Sequence, residues 1–75
     1  MVPLSIHAAG RPRLNLQAPL SELVTNVRLH AAATWGVAPS EFYLSLRGAI
    51  MNLDVPLVHY LTGGSVLEAV APGPR

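Results

Sequence analysis

Three features of the sequence predict a small α+β domain in which one helix covers one face of a β-sheet. Two short segments near the start alternate apolar and polar residues, the pattern of half-buried strands. The next segment repeats its apolar residues with helical spacing. Further alternating segments follow, so the predicted order is strand, strand, helix, strand, short strand, strand.

The first two alternating segments predict a β-hairpin. Every second residue is apolar in residues 2–6, and residues 13–18 repeat the alternation with a fully polar opposite side. Between them lies Ala9-Gly10-Arg11-Pro12, which contains the two residue types that most favour turns. Alternating segments joined by a short Gly/Pro loop are typical of antiparallel strands that pair with each other.

Residues 21–35 predict one amphipathic helix. Ser21 is the expected N-cap, because its hydroxyl can accept a hydrogen bond from an N–H of the first turn. Gly36 is placed to end the helix in a left-handed conformation, and Leu29 is expected to be exposed opposite the apolar stripe. At about 100° per residue, the stripe consists of Leu20, Val24, Val27, Ala31 and Trp35.

The segment after the helix predicts a second hairpin. Residues 42–47 alternate apolar and polar side chains and are expected to form the third strand. Gly48-Ala49 is the expected turn, since glycine favours turns. Ile50-Met51 is then expected to form a very short fourth strand.

The end of the chain predicts a tight helical turn and a last strand. Leu57 and Tyr60 are three residues apart, the spacing of one turn of tight helix. Gly63-Gly64 indicates a turn, and residues 65–70 are expected to form a strand with Leu67 and Ala69 inward. Residues 71–75 combine two prolines with a glycine and are expected to form a flexible tail or the start of a linker.

Composition excludes several classes of function. The 75 residues carry a net charge of +1, with five arginines and no lysine, so they lack the clustered cations of nucleic-acid-binding modules. No apolar stretch is long enough to span a membrane. The absence of cysteine excludes disulfides and thiolate zinc sites. We therefore expect one folded domain in the cytoplasm or nucleus. It is expected to bind neither nucleic acid nor a membrane.

The sequence offers no constellation for catalysis. The three histidines show no i, i+4 spacing of the kind that builds a metal site on a helix. The four acidic residues occur singly, so no carboxylate pair is indicated, and no Gly-rich phosphate loop appears. We expect no catalytic residue, no cofactor and no metal, and hence a protein that is not an enzyme.

Four short segments share a common register with one known family. They are Asn26-Val27-Arg28, Gly36-Val37-Ala38-Pro39-Ser40-Glu41, Leu44-Ser45-Leu46-Arg47-Gly48 and Leu57-Val58-His59-Tyr60. They resemble, in turn, the middle of the helix, the Gly-Ile-Pro-Pro loop, the third strand with its turn, and the Leu-x-x-Tyr turn of ubiquitin and its relatives, the β-grasp family. The resemblance implies a mixed four- to five-stranded sheet covered by one α-helix, with residues 1–70 as a ubiquitin-like domain.

The resemblance implies a protein that works through other proteins. Relatives act as covalent tags or as docking modules, and a tag ends in a flexible Gly-Gly, whereas this chain ends in Pro72-Gly73-Pro74-Arg75. We therefore expect a non-catalytic protein–protein interaction module within a larger or fusion protein. The alternative is a processed ubiquitin-like leader or modifier, similar to the leader fused to a small-subunit ribosomal protein. A sulfur-carrier role is a third reading, which also requires Gly-Gly.

The absence of lysine has two explanations. Codon bias toward arginine and alanine is one, and a selected resistance to ubiquitination is the other. Ubiquitin-type chains grow on amines, so this domain would be extended only from its N-terminus.

The resemblance also implies where a partner binds. In the family the usual recognition surface is the outer sheet face around an apolar residue of the third strand, where this chain has Ser45. Because serine offers little apolar area, generic ubiquitin receptors are expected to bind weakly. An ordinary solvated face is the alternative, and a monomer is expected. The possible partner-binding residues are Ala9, Tyr43, Ser45, Arg47, Gly48, Ala49, Val66, Glu68 and Val70.

Scattered aliphatic residues outside that face are also candidates for exposed apolar area. The candidates are Leu29, Ile50, Val55 and Val58. Only 12% of the residues are charged, which leaves the surface poor in solubilising groups. A face covered by a partner, or by the rest of a longer protein, is therefore expected.

Overall fold

A computed structural model describes residues 1–70, which form a five-stranded mixed sheet with one α-helix on one face. The strand order is β2-β1-β5-β3-β4, with β1 and β5 parallel at the centre and all other neighbours antiparallel. The elements are β1 (Val2–Ala8), β2 (Leu14–Ala18), α1 (Val24–Trp35), β3 (Tyr43–Leu46), β4 (Ala49–Ile50) and β5 (Ser65–Val70). The predicted α+β class is confirmed, and the expected tail, residues 71–75, lies outside the described residues.

The predicted first hairpin is present in full. Leu4 pairs with Leu16, and both lie on the side of the sheet that carries the hydrophobic core. One pair further along, the Ser5 hydroxyl donates a hydrogen bond of 2.7 Å to the side-chain oxygen of Asn15 on the opposite side. Alternation along the two strands therefore separates an apolar side from a polar one, as the sequence predicts.

The helix begins later than the sequence predicts. Its first residue is Val24 and its N-cap is Leu23, so Ser21 does not cap it. Residues 20–22 instead contact the short helical turn near residue 57. The carbonyl oxygens of Leu20 and Glu22 accept hydrogen bonds from backbone N–H groups of that turn. The prediction of Ser21 as the N-cap was therefore wrong.

Backbone groups of a neighbouring loop satisfy the helix N-terminus. The N–H of Val24 donates to the carbonyl oxygen of Val55 at 3.0 Å, and the N–H of Thr25 donates to that of Leu53 at 3.1 Å. The first N–H groups of a helix have no partner inside the helix, so these two bonds take the place of a side-chain cap.

The remaining helix predictions are confirmed. Gly36 adopts φ +70°, and the N–H of Val37 donates to the carbonyl oxygen of Ala32 at 3.0 Å, so the helix ends in a left-handed cap. Leu29 is 48% exposed on the solvent side. The buried helix residues are Val24, Val27, Ala31 and Ala32, and Trp35 packs against the core beside them.

The second hairpin is displaced by one residue from its prediction. Its turn is Arg47-Gly48, with φ values of +53° and +85°, and not Gly48-Ala49. A two-residue turn with both φ values positive matches the twist of paired strands, so β4 begins immediately after it. Met51 follows β4, and its N–H donates to the carbonyl oxygen of Leu44 at 2.9 Å while its side chain is buried.

The predicted tight turn is a 3₁₀ helix spanning Leu57–His59. Leu57 is fully buried there, and the hydroxyl oxygen of Tyr60 accepts a hydrogen bond of 2.7 Å from the N–H of Asn52. A further 3₁₀ turn, Pro39–Glu41, follows the helix. The Leu57–His59 turn lies beside the helix N-terminus, and Pro39–Glu41 lies after its C-terminus.

Candidate functional site

We call the side of β1, β3, β4 and β5 that points away from α1 the outer face. Leu44 is fully buried beneath the helix, so its neighbours in β3, Tyr43 and Ser45, point to the outer face. Ser45 lies between Glu68 on β5 and Ile50 on β4, and directly paired residues share a face. The centre of the outer face is therefore the row Ile50, Ser45, Glu68.

Ser45 is not available to a partner, although it lies on the predicted face. Only 3% of it is exposed, and its hydroxyl points at the backbone carbonyl oxygen of Glu68 at 3.4 Å. A small side chain between two longer ones on adjacent strands is covered by them. The expectation that Ser45 contributes directly to a recognition surface is corrected, because the residue forms the floor of the face.

The exposed apolar area of the outer face belongs to three other residues. Ile50 and Val66 are each 55% exposed, and Tyr43 is 39% exposed. Ile50 was missed as a member of this face because the predicted turn lay one residue too late. A one-residue shift in a strand moves a side chain to the opposite face. The signal that identifies it is Gly48 as the second residue of a two-residue hairpin turn.

Three further predicted residues occupy different places from those expected. Ala49 pairs with Leu46, which packs against the core, so Ala49 lies on the helix side and not on the outer face. Arg47 and Gly48 form the exposed turn at the end of β3. Arg47 therefore stands at the rim of the outer face as a cation.

The remaining predicted residues, Ala9, Glu68 and Val70, lie along β5 and beside the end of β1. Val70 pairs with Tyr43 across β5 and β3. His7 pairs with Glu68 across β1 and β5. A shallow depression joins these elements, and its lining is His7, Ala8, Ala9, Glu68, Ala69 and Val70. The structure thus places Ala9, Glu68 and Val70 around one depression.

Tyr43 has a charged neighbour from the helix. The guanidinium carbon of Arg28 lies 6.0 Å from the centre of the Tyr43 ring, within the range of a cation–π contact. The Nε atom of Arg28 is buried and has no hydrogen-bond partner among the described residues. This contact positions the ring at the free edge of β3, where β4 does not extend.

The other exposed aliphatic residues are scattered. Leu29 and Val58 are 48% and 56% exposed, as expected. Val55 is only partly exposed and packs against the core, so its expected exposure was wrong. The carbonyl group of Val55 caps the helix, which holds this residue against the fold.

The described residues contain no group of three or more His, Cys, Asp or Glu side chains able to hold a metal ion. Within residues 1–70, no helix has the length and hydropathy needed to cross a membrane. The outer face carries exposed aliphatic and aromatic side chains together with Arg47, Glu68 and His7.

Solved structures show the same fold. Over 97% of this chain and 95% of the other, ubiquitin of Caldiarchaeum subterraneum superposes with a TM-score of 0.86 at 18% identity. A chain in the crystal structure of the pParkin-pUb-UbcH7 complex matches with a TM-score of 0.84 at 18% identity. That match covers 95% of this chain but only 23% of the longer one. No protein-family model matches the chain, and no curated protein sequence matches it.

The fold is therefore the ubiquitin-like β-grasp, as the four sequence segments predicted. The five-stranded mixed sheet, its order and its single covering helix agree with this class of domain. At 18% identity the similarity establishes the fold, and the role of the outer face is argued below from this chain's own residues.

Proposed function

We propose that this chain is a non-catalytic interaction module that binds a protein partner through its outer face. The observation that carries the proposal is the exposure of Ile50 and Val66, each 55%, on the side of the sheet opposite the helix. Exposed apolar area on a sheet face rimmed by polar groups is a common feature of protein-binding surfaces. Tyr43 adds an aromatic side chain of the kind that anchors interfaces.

The arrangement of the face supports a partner different from generic ubiquitin receptors. Its centre is the covered Ser45, and its apolar side chains stand to either side on β4 and β5. A partner shaped around one central apolar residue would bury less apolar area here. Its binding free energy would be weaker by about 25 cal/mol for each Å² of apolar surface left unburied. A partner that straddles the centre and contacts Ile50 and Val66 fits better.

Charge-introducing substitutions test the face. Ile50→Asp and Val66→Asp each place a charge in the proposed contact, so we expect partner binding to fall at least about tenfold, because a buried unpaired charge costs several kcal/mol. The measurement is affinity capture from the native cell extract with quantitative mass spectrometry, followed by titration of the captured partner.

Leu29→Asp is the matched control, because Leu29 is 48% exposed on the helix and lies away from the sheet face. All three variants should keep the thermal midpoint of the wild type within a few degrees, since each changes an exposed side chain. Partners retained by both outer-face variants, or lost equally with Leu29→Asp, would contradict the proposal.

We also propose that the domain is part of a larger or fusion protein in the cytoplasm or nucleus. In one structural neighbour the same fold covers 23% of a longer chain, which supports a modular use. Intact mass spectrometry of the protein from its native source tests this: a species extending well beyond residue 75 is expected, whereas a product ending near residue 75 favours the processed-leader alternative.

A further inference from the structure

Arg28 is a half-buried cation on the helix. It follows the buried Val27 in α1, and its Nε atom is enclosed without a hydrogen-bond partner in residues 1–70. Removing a charged group from water costs free energy unless other groups replace the lost hydration. The residue as a whole stays partly exposed, so the accessible part of its guanidinium is the end that carries Nη1 and Nη2.

The ring of Tyr43 replaces only part of that hydration. The guanidinium carbon of Arg28 lies 6.0 Å from the ring centre, where the ring face attracts a cation but offers its N–H groups no acceptor oxygen. Tyr43 pairs with Val70 on one side, whereas β4 pairs only with Ser45 and Leu46, so the ring is 39% exposed. The guanidinium and the ring thus form a notch between α1 and the free edge of β3, which we call the Arg28–Tyr43 notch.

The described elements around the notch supply no carboxylate to balance its charge. The helix α1 and the strands β3 and β4 contain neither Asp nor Glu. The carboxylate of Glu41, in the 3₁₀ turn after the helix, already accepts a hydrogen bond of 3.0 Å from the N–H of Ala38. Glu68 of β5 lies on the outer face opposite Ser45. The notch therefore presents a positive charge without a complementary anion from its own walls.

We propose that the Arg28–Tyr43 notch binds a carboxylate side chain of a protein partner. Two parallel N–H donors at the end of a guanidinium match the two oxygens of a carboxylate, and such charge-assisted pairs are stronger than neutral hydrogen bonds. Salt screens a partly buried pair less than an exposed one. Arginine and tyrosine are also among the residue types that most often anchor interfaces. The partner therefore presents an aspartate or glutamate where it meets the helix side of β3.

This site goes beyond the outer-face proposal, because its charge comes from the helix and its contact does not require Ile50 or Val66. The carboxylate contact can therefore be tested alone. The probe is the capped peptide acetyl-Gly-Asp-Asp-Gly-amide. The matched control peptide carries asparagine in place of each aspartate, which keeps the shape of the side chain and removes its charge.

The side-chain N–H signals of arginine report directly on this contact. Titration of the aspartate peptide into protein labelled with ¹⁵N and ¹³C should shift the Nε–Hε signal of Arg28 and the ring signals of Tyr43. The signals of the exposed Arg13 and Arg47 should move little. We expect the aspartate peptide to bind about fivefold more tightly than the asparagine peptide, the upper range for an ion pair that keeps some contact with solvent.

Two pairs of variants test the charge and the ring separately. Arg28→Gln should lower the affinity for the aspartate peptide to that for the asparagine peptide. Arg47→Gln removes the same charge from the exposed hairpin turn and should leave the affinity unchanged. Tyr43→Ala should weaken binding about two- to fivefold, as expected for loss of a cation–π contact, whereas Tyr43→Phe keeps the ring and should bind like the wild type.

Three results would overturn the proposal. One is equal affinity for the two peptides. Another is an equal loss of affinity in Arg28→Gln and Arg47→Gln, which would assign the binding to net charge alone. The third is a set of shifts centred on Ile50 and Val66 with the Arg28 signal unmoved, which would place the peptide on the outer face. If Arg28→Gln loses its native spectrum, the Tyr43→Ala and Tyr43→Phe pair decides the outcome.

Discussion

Gly64 shows how a single position of this chain is restricted by a neighbour from the first strand. A methyl group on Gly64 would lie 2.8 Å from the Cγ of Pro3 and 3.0 Å from its carbonyl oxygen. One of these atoms belongs to the backbone of β1, which cannot move without disturbing its pairing. Glycine is therefore required here by close approach, whereas Gly63 has open space around the same position.

Gly64→Ala should lower the free energy of unfolding by about 1–3 kcal/mol, the usual cost of overpacking. Gly63→Ala is the adjacent control and should change it by less than about 0.5 kcal/mol. Urea denaturation of both variants followed by tryptophan fluorescence measures the difference. Equal stability of the two variants would show that Pro3 can move away from the new methyl group without lowering the free energy of unfolding.

Ser45 and Ile50 illustrate where sequence-based prediction of the site stops at the residue scale. Alternation along β3 assigned Ser45 to the outer face, but its burial depends on the side chains of the two adjacent strands. Those neighbours are set by the register of a hairpin, and the predicted turn was one residue late. The face was predictable from the sequence, while its exposed members were not.

At the scale of elements, the helix start depends on a contact that is distant in sequence. The helical stripe and the glycine at the C-terminal end are local signals, and both predictions were confirmed. The N-terminal end is capped by the carbonyl groups of Leu53 and Val55, about thirty residues later in the chain. No local pattern reveals such a cap, so Ser21 was a reasonable but incorrect N-cap prediction.

Ser21→Ala should therefore change the free energy of unfolding by less than about 0.5 kcal/mol. Loss of a true N-cap side chain costs about 0.5–2 kcal/mol. Gly36→Ala is the comparison at the other end of the helix and should cost about 1–2 kcal/mol, because φ is +70° there. Thermal denaturation by circular dichroism measures both. A loss of about 0.5–2 kcal/mol in the free energy of unfolding for Ser21→Ala would instead indicate that Ser21 caps the helix.

At the scale of the whole molecule, the core lies between one side of the sheet and the helix. Leu67 is fully buried at its centre, whereas its neighbour Val66 is 55% exposed on the outer face. The two residues are adjacent in β5 and differ mainly in the side to which they point. Side chains on the outer face can therefore be substituted without changing the core.

Leu67→Ala should lower the free energy of unfolding by about 2–5 kcal/mol, since it leaves a cavity in a packed core. Val66→Ala should cost less than about 1 kcal/mol, the range of strand propensity. The midpoints of urea denaturation give the comparison. Similar losses for the two variants would mean that Val66 is buried in solution, and the outer-face proposal would lose its main support.

The parallel pairing of β1 with β5 gives the chain a particular order of assembly. Among the described residues, the first and last strands lie side by side at the centre, where Ile6 pairs with Leu67. While residue 70 is still inside the ribosome, the emerged chain contains the first hairpin and the helix but lacks β5, the strand that pairs with both β1 and β3. Folding on the ribosome should therefore be late and cooperative, as expected when non-local contacts dominate.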